Sequence, residues 1–217
     1  MRIRITFAKQ GALRYTGQLD LHRIWERTAR RANLPLSYSQ GFHPQPKIQL
    51  AAALPLGFSS RCELVDLRLD AEVPLEGLVA RLQAAVPPGL EILAVEQVDE
   101  RSPALQTQID FSEYEATLLE QVDGLQLSRN LEKLMSAASL PRERRGKHYD
   151  LRPLLDRLAL NPAPAIGNDI GYKIYMRLAC REASTGRPDE VLAELGIPLE
   201  AARIERIGLI MRNPTAA

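Results

Sequence analysis

Residues 14–47 read RYTGQLDLHRIWERTARRANLPLSYSQGFHPQPK. On a helical wheel Leu21, Ile24, Trp25, Thr28, Ala29 and Ala32 share one side, and Arg23, Arg27, Arg30 and Arg31 the other. That spacing predicts an amphipathic helix over residues 17–33. Thr16 or Gly17 caps it, Asp20 sits in the first turn where an acid is favoured, and Pro35 marks the exit. A loop follows, with Gly41, Phe42, His43 and Pro44 at its centre. A core helix needs only a polar outer face, so four arginines there point to a surface that meets an anion.

Outward from this segment the elements fall into order. Residues 2–8 alternate, with Ile3, Ile5 and Phe7 on one side and Arg2, Arg4 and Thr6 on the outer one, as in a half-buried strand. Residues 47–53 and 62–69 read as strands joined by a turn at Pro55-Leu56-Gly57. A second helix is expected over 75–86, stopped by Pro87-Pro88-Gly89, and a fourth strand over 90–98. The order is βαββαβ, a ferredoxin-like unit. A weaker repeat follows, with strands near 111–119, 170–181 and 203–211 and helices near 127–138 and 187–196. Short strands are expected around a basic loop in 140–160. The expected fold class is α+β: two tandem ferredoxin-like domains, antiparallel sheets with helices on one face. The first covers 1–99, a polar linker 100–109, and a divergent second domain 110–217.

A chain of 217 residues, 45% hydrophobic and 25% charged, can bury a core without cross-links. No apolar run approaches the roughly 18–20 residues that span a bilayer, and the N-terminus has no signal-peptide pattern. Two well-separated cysteines, Cys62 and Cys180, read as free thiols of a cytoplasmic protein. The net charge of +1 hides a segregation. Residues 1–47 hold nine Lys and Arg against two acids, a net of +7. Residues 63–123 hold three against fourteen, a net of −11, and residues 142–157 six against three, a net of +3. Such separation attracts a polyanion to one surface and repels it from another.

The missing motifs narrow the chemistry. Two cysteines cannot form the three-cysteine loop of a radical SAM iron–sulfur cluster. The sequence has no Walker A loop, no GxGxxG after a strand, no HExxH and no zinc spacing. No catalytic residue, metal ligand or cofactor is assigned.

The run RYTGQLDLHRIWERTARRANLPLSYSQGFHPQPK, followed by LAAALPLG, resembles the DUF2344 family of radical-SAM-linked proteins; LPRERRGKHYDLRP and GRPDEVLAELG extend the likeness. The resemblance implies a radical SAM enzyme as partner, with this chain as its accessory. A more remote likeness, of fold alone, is to Cas6-type RNA-binding proteins.

Together, charge and fold suggest structured RNA, tRNA or rRNA, as a second partner. Arg2, Arg4, Arg23, Arg27, Arg30 and Arg31 would meet phosphates, since guanidinium forks pair with phosphate oxygens. Tyr38 and Phe42 would stack on unpaired bases, with His43 and Lys47 beside them. The structural alternative has Phe42 closing the core. The basic loop Arg142, Arg144, Arg145 and Lys147 would meet the RNA backbone. Two other readings stay open. One is an adaptor that docks the radical SAM enzyme through its acidic middle or a sheet face without touching RNA. The other is a metal-independent endoribonuclease with His22 as general base.

Overall fold

The computed structural model describes residues 1–144, 146–166, 169–181 and 184–212, with the backbone alone at 166, 169 and 170. The fold is α+β, with mostly antiparallel strands and four α-helices among the described residues. The chain divides into two compact units, Met1–Ile109 and Asp110–Ala217.

In the first unit β1 (Arg2–Lys9) leads through a turn of 3-10 helix (Gly11–Tyr15) into α1 (Gln18–Arg31). Then come β2 (Ile48–Leu50), β3 (Ser59–Arg68), α2 (Leu78–Gln83) and β4 (Leu90–Val98). The sheet order is β2-β3-β1-β4, each neighbouring pair antiparallel. β1 lies inside the sheet, and Ile3, Ile5 and Phe7 are fully buried. They belong to one core with Leu21, Trp25 and Ala29 of α1 and Leu78 and Leu82 of α2. Phe7 and Trp25 meet edge to face at 4.8 Å. Each of the buried Ile, Leu and Phe side chains contributes about 1.5–3 kcal/mol by leaving water.

α1 ends where its last carbonyls find donors. Asn33 N–H donates to Arg30 O at 3.0 Å and Leu34 N–H to Ala29 O at 2.9 Å. This is a Schellman closure with Asn33, at φ 50°, in the left-handed position usually taken by glycine. α2 is shorter than the expected 75–86, because Gly77 at φ 70° holds the chain non-helical until Leu78. β2 is also shorter than expected, its ladder with β3 running only from Ile48 to Leu50.

Residues 100–108, expected as linker, lie against the sheet. Leu105 is fully buried, and its N–H donates to Gln49 Oε1 at 3.1 Å. This cover corrects the outer-face reading of Arg2 and Arg4, which are only 1% and 9% exposed. Arg2 donates to Asp66 Oδ2 at 2.9 and 2.6 Å and to the carbonyls of Ser102 and Pro103 at 2.7 and 3.0 Å. Arg4 donates to both Asp66 oxygens, at 2.8 and 3.0 Å, and to Gln108 Oε1 at 3.2 Å. A buried charge must be paired, and here one carboxylate serves two guanidiniums.

The second unit holds β5 (Ile109–Leu118), α3 (Gly124–Ser136), the hairpin β6 (Pro141–Arg144) and β7 (Lys147–Asp150), then β8 (Leu155–Ile166), β9 (Asp169–Arg181), β10 (Ser184–Thr185), α4 (Pro188–Glu194) and β11 (Ala202–Met211). β9 carries β8 and β10 on one edge and β5 on the other, and β11 adjoins β5. α3 starts three residues before the expected Leu127 because Asp123 caps it, accepting from Leu125 and Gln126 N–H at 2.9 and 3.0 Å.

Candidate functional site

The arginines of α1 separate by the work each does. Arg31 donates to the Ala85 carbonyl at 3.1 Å, fastening α1 to the end of α2, so it is not a free phosphate contact. Arg23 meets Asp20 at 3.4 Å, with both side chains largely exposed, a contact worth about 0–1 kcal/mol. Arg30 donates to Glu26 Oε1 at 2.6 Å and to the Tyr38 hydroxyl at 3.2 Å. The Tyr38 bond, then the Glu26 charge, raise the Arg30 pKa. Arg27 is exposed, and its side chain has no ion-pair or hydrogen-bond partner among the described residues.

β1 and β2 both run antiparallel to β3, and α1 crosses between them, so the helix ends at the edge of the sheet where β2 begins. From there the GFHP loop projects. Tyr38 bridges Pro46 at its base. Ser39 N–H donates to Gln45 O at 2.8 Å, and Gln45 N–H to Ser39 Oγ at 2.9 Å. Gly41 turns the tip at φ 130°, a conformation L side chains rarely adopt. Phe42 therefore stands free at 102% exposure, which excludes the core-closing alternative. His43 beside it is exposed as well.

Below the loop base the sheet adds a cation the residue patterns missed. Arg68 pairs opposite Arg2 and donates its N–H to Lys47 O at 3.1 Å, so Lys47, Arg68 and Arg2 form one cross-strand row on the face away from the helices. A cleft of about 310 Å³ opens there, its walls including Ser37, Lys47, Arg68, Asp70 and Glu100. Arg68 lies within a segment whose summed charge is −11, so a segment count hides it. Only the strand register places it next to Lys47.

Within the second unit Arg142 is clamped to α4. It donates to Glu190 Oε2 at 2.9 and 2.7 Å and to Glu194 Oε1 at 2.9 Å, and the Glu190 bond holds its pKa up. Arg142 thus has a structural partner, while Lys147 is exposed opposite half-buried Arg144, across a turn at Gly146. Arg145 lies outside the described residues. His22 is half-buried on α1, and His148 is exposed on β7. Among the described residues no group of three His, Cys, Asp or Glu is placed to hold a metal. Cys62 and Cys180 are free thiols, and among the described residues no helix is long and apolar enough to cross a membrane.

A different surface forms at the other end of α1. Gly57 N–H donates to Arg14 O at 2.8 Å, which brings the RYTG and LPLG segments together. Tyr15 and Leu56 are exposed there, with Leu19 on the first turn of α1.

The segments meeting around α1 are those that carry the family resemblance. Residues 2–188 match the family described as "Uncharacterized protein conserved in bacteria (DUF2344)". The chain belongs to the DUF2344 family. No curated protein matches it. Among solved structures, this DUF2344 chain is similar to one from the "Crystal Structure of a Cbf5-Nop10-Gar1 Complex", at 10% identity and a TM-score of 0.49. That match covers 95% of this chain and 48% of the other, so the DUF2344 chain spans about half of its length. A second, "Crystal Structure of an Unknown Protein from Galdieria sulphuraria", matches at 13% identity and a TM-score of 0.26, covering 98% of both chains. At these scores neither likeness bears on what the DUF2344 protein does.

Proposed function

We propose that this protein is a non-catalytic RNA-binding accessory that presents tRNA or rRNA to a radical SAM enzyme. The observation that carries the reading is Phe42, an aromatic ring in full solvent exposure on a loop closed by its own hydrogen bonds. Exposing a phenylalanine has no folding benefit, and an exposed ring on a loop rooted among cations is a platform for an unpaired base. Arg30, bonded to Tyr38 at the loop base, and the exposed His43 and Lys47 supply the cationic and polar surroundings. Each unit is read as a ferredoxin-like domain. The orders β4-β1-β3-β2 and β11-β5-β9-β8 support this, with the β6–β7 hairpin and β10 as additions to the second.

The test is filter binding of total tRNA over a range of salt, for the wild type and Phe42→Ala. Wild-type binding at low salt is expected, weakened about tenfold or more by the substitution, in line with about 1–3 kcal/mol per stacked base. Absence of binding at low salt removes the reading. The apolar surface of Tyr15, Leu19 and Leu56 favours a second reading, an adaptor that holds the radical SAM enzyme without RNA. A protein that fails the titration yet retains that enzyme after ribonuclease treatment would be the adaptor.

A further inference from the structure

We propose that the cleft under the GFHP loop is a ribonucleotide subsite, in which Lys47 and Arg68 hold a backbone phosphate and Asp70 accepts a hydrogen bond from the ribose 2′-hydroxyl. The inference rests on the RNA reading and sharpens it: the protein selects RNA over DNA at this point.

The cleft, about 310 Å³, is polar and opens at the foot of the Phe42 loop. Ser37 and Lys47 in its walls directly adjoin Tyr38 and Pro46, which bridge at the loop base. A strand of RNA whose base stacks on Phe42 therefore passes the cleft mouth. Lys47 and Arg68 lie side by side across β2 and β3, and Arg68 is steadied by donating to the Glu100 carbonyl at 3.2 Å. Two adjacent cations suit one phosphate. Asp70 lies two residues beyond Arg68, past the end of β3, and both line the cleft. The Asp70 backbone is fixed by its N–H donating to Pro35 O at 2.8 Å. Its side chain is exposed, with no partner among the described residues. A carboxylate beside a phosphate site is wrong for a pure phosphate binder, since it repels the ligand. It is right for a sugar hydroxyl, the one group that distinguishes RNA from DNA at a matched position.

The test is fluorescence anisotropy with a short oligoadenylate and its deoxy counterpart at one fixed salt concentration. The ratio of the two affinities is the readout, because general electrostatics cancel in it. The wild type is expected to favour RNA by about tenfold, the scale of one hydrogen bond to a charged acceptor. Asp70→Ala brings the ratio close to one, while Lys47→Ala and Arg68→Ala weaken both ligands and leave the ratio near the wild-type value. Equal wild-type binding of the two, or a ratio that survives Asp70→Ala, overturns the subsite and leaves the RNA reading standing. If neither oligonucleotide binds, the subsite is overturned as well, and the tRNA titration decides the RNA reading separately.

Discussion

The Asp66 carboxylate is the most consequential single group in the first unit. It is 2% exposed and accepts from Arg2 and Arg4 at four distances between 2.6 and 3.0 Å. Asp66→Ala leaves two buried guanidiniums without their anion, so it should cost about 3–5 kcal/mol in urea unfolding. Asp20→Ala, which breaks the exposed contact to Arg23 and removes an acid from the first turn of α1, should stay within about 1 kcal/mol. Comparable losses in the two would sink this account. The alternation of β1 puts Arg2 and Arg4 on one face, and that reads directly from sequence. That the face is covered does not. The cover is a polar, proline-containing stretch with Leu105 as its buried anchor, and it has no periodicity to read. Phe42 was ambiguous for the opposite reason. Gly41 and Pro44 predict a turn, but which way the Phe42 ring faces depends on how the loop closes, here through the Ser39–Gln45 hydrogen bonds with the ring in solvent.

Among elements, the β6–β7 hairpin depends most on one acid. Asp150 accepts from Leu140 N–H at 2.7 Å and from Arg152 N–H at 2.9 Å, tying both ends of the hairpin, and these bonds hold its pKa below the ordinary value. A depressed folded-state pKa means stability that is present above the unfolded value and lost as pH falls through the folded one. Asp150→Asn should therefore lower the urea midpoint at neutral pH, and the gap to wild type should shrink as the pH drops below about 4. A gap that stays constant through that range would rule the linkage out. Short strands around a basic loop are expected in 140–160, and β6 falls within that span, but their pairing into a hairpin is not legible. Proline and charges fill residues 141–148, so neither the strand nor the helix period appears, and Arg142 is held by carboxylates forty-eight and fifty-two residues away. Long, regular elements fare better. β4 matches its expected span, and α1 ends within two residues of its own, because an apolar face and explicit start and stop signals agree there.

At the scale of the whole chain, charge segregation is plain in sequence, but the +7 of residues 1–47 overstates what a polyanion can meet. Arg2, Arg4 and Lys9 are buried. Arg31 binds the Ala85 carbonyl, and Arg14 stacks on Tyr15 at 4.7 Å, at the far end of α1 from the GFHP loop. Arg23, Arg27, Arg30 and Lys47 remain, and the register of β3 adds Arg68. If all five meet phosphates, log Kobs should fall with log salt at a slope of about −3.5, taking about 0.7 per phosphate for a single strand. All nine cations of residues 1–47 would give a slope of about −6 instead. The filter-binding titration separates these values. A slope near −6 for the wild type means that cations outside this set, such as Arg144 and Lys147 on the hairpin, also meet RNA. Lys147→Glu would then reduce the slope, whereas with the five-cation footprint it leaves the slope unchanged and Arg27→Glu reduces it.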